Sequence, residues 1–221
     1  MTQSDEMSTN VPKKISKRGY AGRSAEQLMQ ERRQRLMDTA LELFGTVGYV
    51  PTTVEKICSH AKVTTRHFYE HFKDREALLM AIFDTILQET RQQVLAEIIT
   101  SDLPLEQRFV GAVNAFLTSH LDDPRRAKIT TQEILGVSQR VEAHRNLLIT
   151  EFALLIEGYL AMLVAEDKIP ARNYRILAFG IVGAMHELQI AWLNQQVPQA
   201  REQLVAEIDF LMQAMIKGAC V

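Results

Sequence analysis

The stretch TTVEKICSHAKVTTRHFYEHFKDREALL, residues 52–79, decides how the rest of the 221-residue chain is read. Thr52 followed three residues later by Glu55 is the pattern of a capping box, in which a hydroxyl and a carboxylate satisfy the first free amides of a helix. Val54, Ile57, Cys58 and Ala61 then recur at helical spacing and give a short apolar face. Lys62-Val63 makes a tight link. Thr64 caps a further helix running to about His71, with Val63 and Phe68 turned inward, and Asp74 caps a long one after it. Two helices of roughly two turns each, joined by a three- or four-residue turn, have the dimensions of a helix-turn-helix.

Working outward, Ser24 with Gln27 reads as another capping box, opening a first helix with Leu36, Met37, Ala40, Leu41 and Phe44 on its inner face. Gly45 and Gly48 are expected to stop it near residue 45. On the other side, the helix capped by Asp74 continues through Leu78, Leu79, Ile82, Phe83, Ile86 and Leu87 to about Ile99. Leu105–Leu121 is periodic, with Phe109, Val113, Phe116 and Leu117 inward. Asp123-Pro124 opens a helix to about Leu135, since proline suits a first helical position. Helices follow over about 138–166, 172–195 and 199–217, the last two separated by Val197-Pro198. No segment alternates as a strand would. The expected fold is all-α with about nine helices: a flexible basic arm over 1–23, a three-helix head over 24–75, and a larger helical body over 76–221.

The composition agrees. Glycine (10) and proline (6) are scarce, which disfavours a fold of many short strands, and 47% hydrophobic against 24% charged is ordinary for a globular chain. The formal net charge of −2 argues against a nucleic-acid partner only until it is divided. Residues 1–75 carry 13 Lys and Arg against 9 Asp and Glu, and residues 76–221 carry 12 against 18, so a front of +4 is joined to a back of −6. Lys13, Lys14, Lys17, Arg18 and Arg23 make the first residues a basic arm with too little apolar surface to fold. Cys58 and Cys220 are too few and too distant in sequence to imply a bridge, so a reducing cytoplasm is the simplest setting.

In residues 30–83 the paired threonines, Gly48, Tyr49, the valine of the turn and the Phe-Tyr-x-x-Phe run fall in one register, and this segment strongly resembles the DNA-binding signature of the tetracycline-repressor (TetR) family of bacterial transcriptional regulators. The resemblance implies that Thr65, Arg66 and His67 probe base edges and that Tyr69 and His71 reach bases or phosphates. Thr52, Lys73 and Arg75 would hold phosphates, and Thr64, at the start of the reading helix, joins the set. Cys58 stands where the family usually has alanine, Thr64 where it often has serine, and Arg66 where it often has a small residue. The resemblance also implies a homodimer that reads a palindromic double-stranded DNA operator as a repressor and is released by a small-molecule effector, with no cofactor and no enzymatic activity.

Two rivals arise in the same sequence. His67-Phe-Tyr-Glu-His71 spells H-x-x-E-H, the inverted zinc-peptidase motif, but no third ligand is placed by any recognisable spacing. Ile176–Leu193 is apolar enough to raise a membrane span, yet His186, Glu187 and Gln189 near its middle make that costly. Burial against a second copy of the chain, with the last two helices forming a four-helix interface, accounts for the same pattern. An effector pocket is expected among the long helices between about 80 and 190. Phe116, Phe152, Tyr159, Met185, His186 and Trp192 are its candidate lining, joined by Phe109, Met162 and Glu187.

Overall fold

In the computed structural model, residues 24–197 and 200–218 are described, and among them the chain is helical with no strand. The basic arm expected over residues 1–23, and Cys220, lie outside the described residues. The first three helices are α1 (Ala25–Thr46), α2 (Val54–Ala61) and α3 (Thr65–His71). The body follows with α4 (Arg75–Thr100), α5 (Leu105–Leu121), α6 (Pro124–Lys128), α7 (Gln139–Ala165), α8 (Arg175–Leu193) and α9 (Arg201–Gly218). A π-helical turn, Ile129–Glu133, directly continues α6, where the sequence had suggested one helix reaching Leu135.

The helix starts follow local chemistry. Ser24 and Gln27 make the reciprocal box, the Ser24 amide donating to Gln27 Oε1 at 2.8 Å and the Gln27 amide to Ser24 Oγ at 3.1 Å. Asp74 accepts from the Ala77 amide at 2.7 Å, and Asp123 precedes Pro124 as expected. The second expected box, Thr52 with Glu55, does not form. Thr53, not Thr52, caps α2 by accepting from the Lys56 amide at 3.2 Å.

Gly45 also corrects the sequence reading. It lies inside α1, and a Cβ there would sit 2.4 Å from the Cβ of Arg125, so this glycine is needed for the close approach of α6 and not to end the helix. The stop is at Gly48, whose φ of +105° suits glycine alone.

Two apolar clusters hold the chain. The first gathers Leu36, Phe44, Ile57, Phe68 and the early turns of α4, and extends into the body through Ile129, Ile134 and Val141, all three fully buried. The second joins α5, the later turns of α4 and α7, and α8 and α9. The hydrogen bond between His144 and Asp84 and the ion pair Arg91–Glu151 set α7 parallel to α4, while Glu157–Arg175 and the contact of Arg145 with His186 run α8 back along α7.

Candidate nucleic-acid interface and ligand cavity

The reading helix is short because its ends are fixed by side chains. Thr64 accepts from the His67 amide at 3.3 Å at the start, and Phe72 leaves the helix in extended conformation at the end. Phe68 and Phe72 seat it on the core, their rings 5.8 Å apart with the Arg33 guanidinium over Phe72. The residues turned away from that core are polar. Thr64, Thr65, Arg66, Tyr69 and Lys73 are exposed, Arg66 by 88% of its side chain and Tyr69 by 58%. His67 is held at their edge by a 2.9 Å hydrogen bond between Thr64 Oγ1 and His67 Nδ1. The other ring nitrogen, Nε2, lies 3.9 Å from the Glu70 carboxylate at the same edge. An exposed arginine and hydroxyls, with an imidazole at their edge, are the side-chain types that read base edges in a major groove.

Three residues expected at this surface are placed otherwise. Thr52 is fully buried and its hydroxyl donates to the Gly48 carbonyl at 2.7 Å, because the chain must turn there to enter α2. Arg75 is spent inside the protein: it stacks 4.1 Å over the Tyr49 ring and donates to the carbonyls of Tyr49, Val50 and Thr52, tying the loop before α2 to the start of α4. His71 turns its Nε2 into a buried position without a hydrogen-bond partner, and burial holds its pKa below the usual histidine value. Thr53 and Lys62, which the sequence reading did not place at this surface, are exposed, and Lys56 is half-buried. The Thr52-Thr53 doublet is the only signal that pointed to Thr53. Glu70, also on α3, lies 3.6 Å from Arg66 and 3.9 Å from His67 and tempers the positive face.

His67 and His71 thus face different surroundings, and among the described residues no group of three or more His, Cys, Asp or Glu side chains is placed to hold a metal ion.

The body holds a partly open cavity of about 120 Å³ between α4, α5, α7, α8 and the π-helical turn. Phe116, Phe152, Tyr159, Met185 and His186 line it as the sequence suggested, and so does Phe109. Trp192 does not. It lies in the last turn of α8, beyond Gln189, and packs into the second cluster instead. Met162 and Glu187 face outward. The polar lining residues Arg145, His120 and Gln189 were missed, since only the packing of helices distant in sequence brings them to one wall. His120 is buried, donates from Nδ1 to the Phe116 carbonyl at 3.0 Å, and is kept neutral by burial, its pKa lowered to about 4.

The cavity wall is contiguous with the seat of the first three helices. Thr130 and Thr131 line the cavity, and two residues later Glu133 accepts the Tyr49 amide at 2.7 Å, just before α2, while pairing with Lys128 at 3.4 Å. Arg125, on the preceding turn, pairs with Glu42 and Asp123 and covers Gly45. At the start of α7, Arg140 bridges Asp74 and Glu76, each at 2.8 Å, and its guanidinium is the largest influence holding the Asp74 carboxyl below the usual range.

Comparison with known proteins agrees with this architecture. The family described as bacterial regulatory proteins, tetR family, matches residues 36–82, the span from the inner face of α1 to α4. The uncharacterized HTH-type transcriptional regulator YhgD of Bacillus subtilis is 30% identical over 195 residues, covering 85% of this chain and 96% of the relative. The fatty acid degradation regulator FadR from Bacillus halodurans shares the fold at a TM-score of 0.75 and 18% identity, covering 85% of this chain and 95% of that one. The transcriptional regulator FadR from Bacillus subtilis, solved in complex with stearoyl-CoA, does so at 0.71 and 19%, covering 84% and 98%. With residues 36–82 matched by the family and a relative aligned over nearly its whole length, the chain belongs to the tetR family of bacterial transcriptional regulators.

Proposed function

We propose that this regulator is a cytoplasmic homodimeric repressor that binds a palindromic double-stranded operator and is released from it by a small, largely apolar ligand. The observation that carries the reading is the π-helical turn: Thr130 and Thr131 face the cavity, and Glu133, in the same turn, holds the amide that leads into α2. A ligand that fills the cavity acts on that turn, and a shift there re-aims the reading head relative to its twin. Binding is then coupled to operator affinity through unequal affinity for two arrangements. That a fold neighbour was solved with stearoyl-CoA supports an acyl-type effector.

In this reading residues 24–75 are the DNA-binding head and the rest is the dimerisation and effector body. Thr64, Thr65, Arg66, His67 and Tyr69 meet base edges or phosphates, and Lys73 and Thr53 meet phosphates. The dimer interface is the outer face of α8 and α9, where Ile176 is 89% exposed and Phe210 71%, with Phe179 and Leu211 beside them. One copy leaves this apolar surface in water, and two copies related by a two-fold axis cover it and present two reading helices to two half-sites. The test is selection of bound duplexes from random sequence, followed by light scattering of the free protein. A palindrome with steep salt dependence and a dimer at micromolar concentration are expected. A monomer, or no enriched sequence, overturns the proposal.

A further inference from the structure

The cavity has two unlike ends. On α4 its lining runs from Phe83 to Ile98, a stretch of helix roughly 22 Å long at about 1.5 Å per residue. At the end near Ile98 the lining is apolar except for Tyr159, whose hydroxyl donates to the Leu105 carbonyl at 2.8 Å. All the other hydrogen-bonding side chains of the lining are at the end nearest the π-helical turn: His120, Thr130, Thr131, Arg145, His186 and Gln189.

Arg145 is the one charged side chain among them. Its Nη2 meets His186 Nε2 at 3.3 Å, and no carboxylate among the described residues is within ion-pair distance of it. Burial, and then Arg145 itself, lower the pKa of His186 and keep that partner neutral, so the guanidinium faces an apolar chamber without a counter-charge. A half-buried guanidinium on a cavity wall with no carboxylate partner is well placed to take an anion. Gln189 points to a ligand independently. It is 4% exposed and its Nε2 donates to the Met185 carbonyl at 3.1 Å, while its Oε1 is buried on the cavity wall with no partner. A buried acceptor of this kind calls for a donor.

We infer that the effector is an amphipathic organic acid: an apolar chain lying along α4 and α7, a carboxylate received by Arg145, and a hydroxyl beside the carboxylate that donates to Gln189. The inference rests on the ligand-responsive reading above and adds to it the chemistry of the head. The head enters first, toward the π-helical turn, so the part of the ligand that is recognised most specifically is also the part that touches the turn seating the DNA-binding helices.

The test is calorimetric titration of the intact protein with β-hydroxydecanoate, decanoate, decanol and decanoyl-CoA. β-Hydroxydecanoate is expected to bind more tightly than decanoate, and both acids at least about tenfold more tightly than decanol, the scale of one charge-assisted hydrogen bond. Arg145→Met should bring the acids down to the level of decanol with an unchanged melting temperature, Arg145→Lys should keep part of the preference, and Gln189→Leu should erase only the gain from the hydroxyl. Equal binding of acid and alcohol, acid binding unaffected by Arg145→Met, or binding of decanoyl-CoA alone would each overturn the inference. Its failure is separable from that of the reading beneath it: operator release by a neutral compound would keep the ligand-responsive repressor and remove only the anionic head.

Discussion

The head and the body of this protein are both helical and are built on opposite principles. In the head, Phe44, Ile57 and Phe68 are fully buried in a solid core, and polar side chains cover the outside of α3. In the body, helices as apolar as α7 and α8 are long and hydropathic enough to pass for membrane spans, yet much of their surface is not covered within one chain. The space between them is left hollow. The head spends its apolar residues on a fixed shape, while the body keeps some unspent, around a cavity on the inside and on exposed helix faces on the outside. The lesson is that apolar content alone does not measure packing; where it is placed separates a scaffold from a receptor.

The sharpest way to break this contrast is a pair of truncations. Phe68→Ala should cost about 3–5 kcal/mol, as full truncations in tight cores do. Phe116→Ala, half-buried on a cavity wall, should cost clearly less, and equal losses in urea denaturation would refute the distinction. Next comes pH. His120 in the folded body has a pKa of about 4, against about 6.5 in an unfolded chain. The unfolded state therefore binds more protons between these values, and stability falls as pH drops from about 6.5 to about 4, by about 3 kcal/mol if this group acts alone. His120→Gln should flatten that part of a stability-against-pH curve, and an unchanged slope would contradict the neutral buried imidazole.

A smaller effect is expected where the two regions meet. Glu133→Ala strands the Tyr49 amide and should cost about 1–3 kcal/mol, while also weakening the response of operator affinity to effector. Glu133→Gln keeps an acceptor and should recover most of both, as read by melting curves and by fluorescence anisotropy on operator DNA. The smallest effect on stability belongs to Lys73→Ala, within about 0.5 kcal/mol for an exposed residue, yet it should reduce the salt dependence of DNA binding by about one released ion per contact. Arg75→Ala should do the reverse, lowering stability through loss of its three carbonyl contacts. If Arg75→Ala instead left stability intact and reduced the salt slope, the division between internal and DNA-facing cations would be wrong.

What was legible in the sequence was local. Capping residues, the proline opening α6 and the helical spacing of apolar residues are short-range signals, and the helix boundaries they suggest fall within a few residues of those observed. The errors sit where a distant part of the chain decides. Thr52 and Thr53 are chemically alike, and only the turn of the backbone at Gly48 determines which is buried. Arg75 reads as an exposed cation until Tyr49 and its neighbouring carbonyls are brought beneath it. Gly45 reads as a stop because its reason for being small is Arg125, eighty residues later. The aromatic lining of the cavity was recognisable because aromatic residues on inner faces are conspicuous. Arg145 and Gln189 were not, because a polar residue on an otherwise apolar helix looks like surface until its neighbours are known.

Ile129, Ile134 and Val141 belong to the core of the head although they lie more than fifty residues beyond it in sequence. Anyone building a chimera, with this reading head grafted onto another sensor, therefore cannot cut at residue 75 and carry the front piece away. The transplant would arrive with an open socket where those three side chains had sat, and with the amide of Tyr49 wanting its carboxylate. A workable graft takes the segment 125–141 along with residues 24–86, so the portable unit of this regulator is discontinuous in the gene.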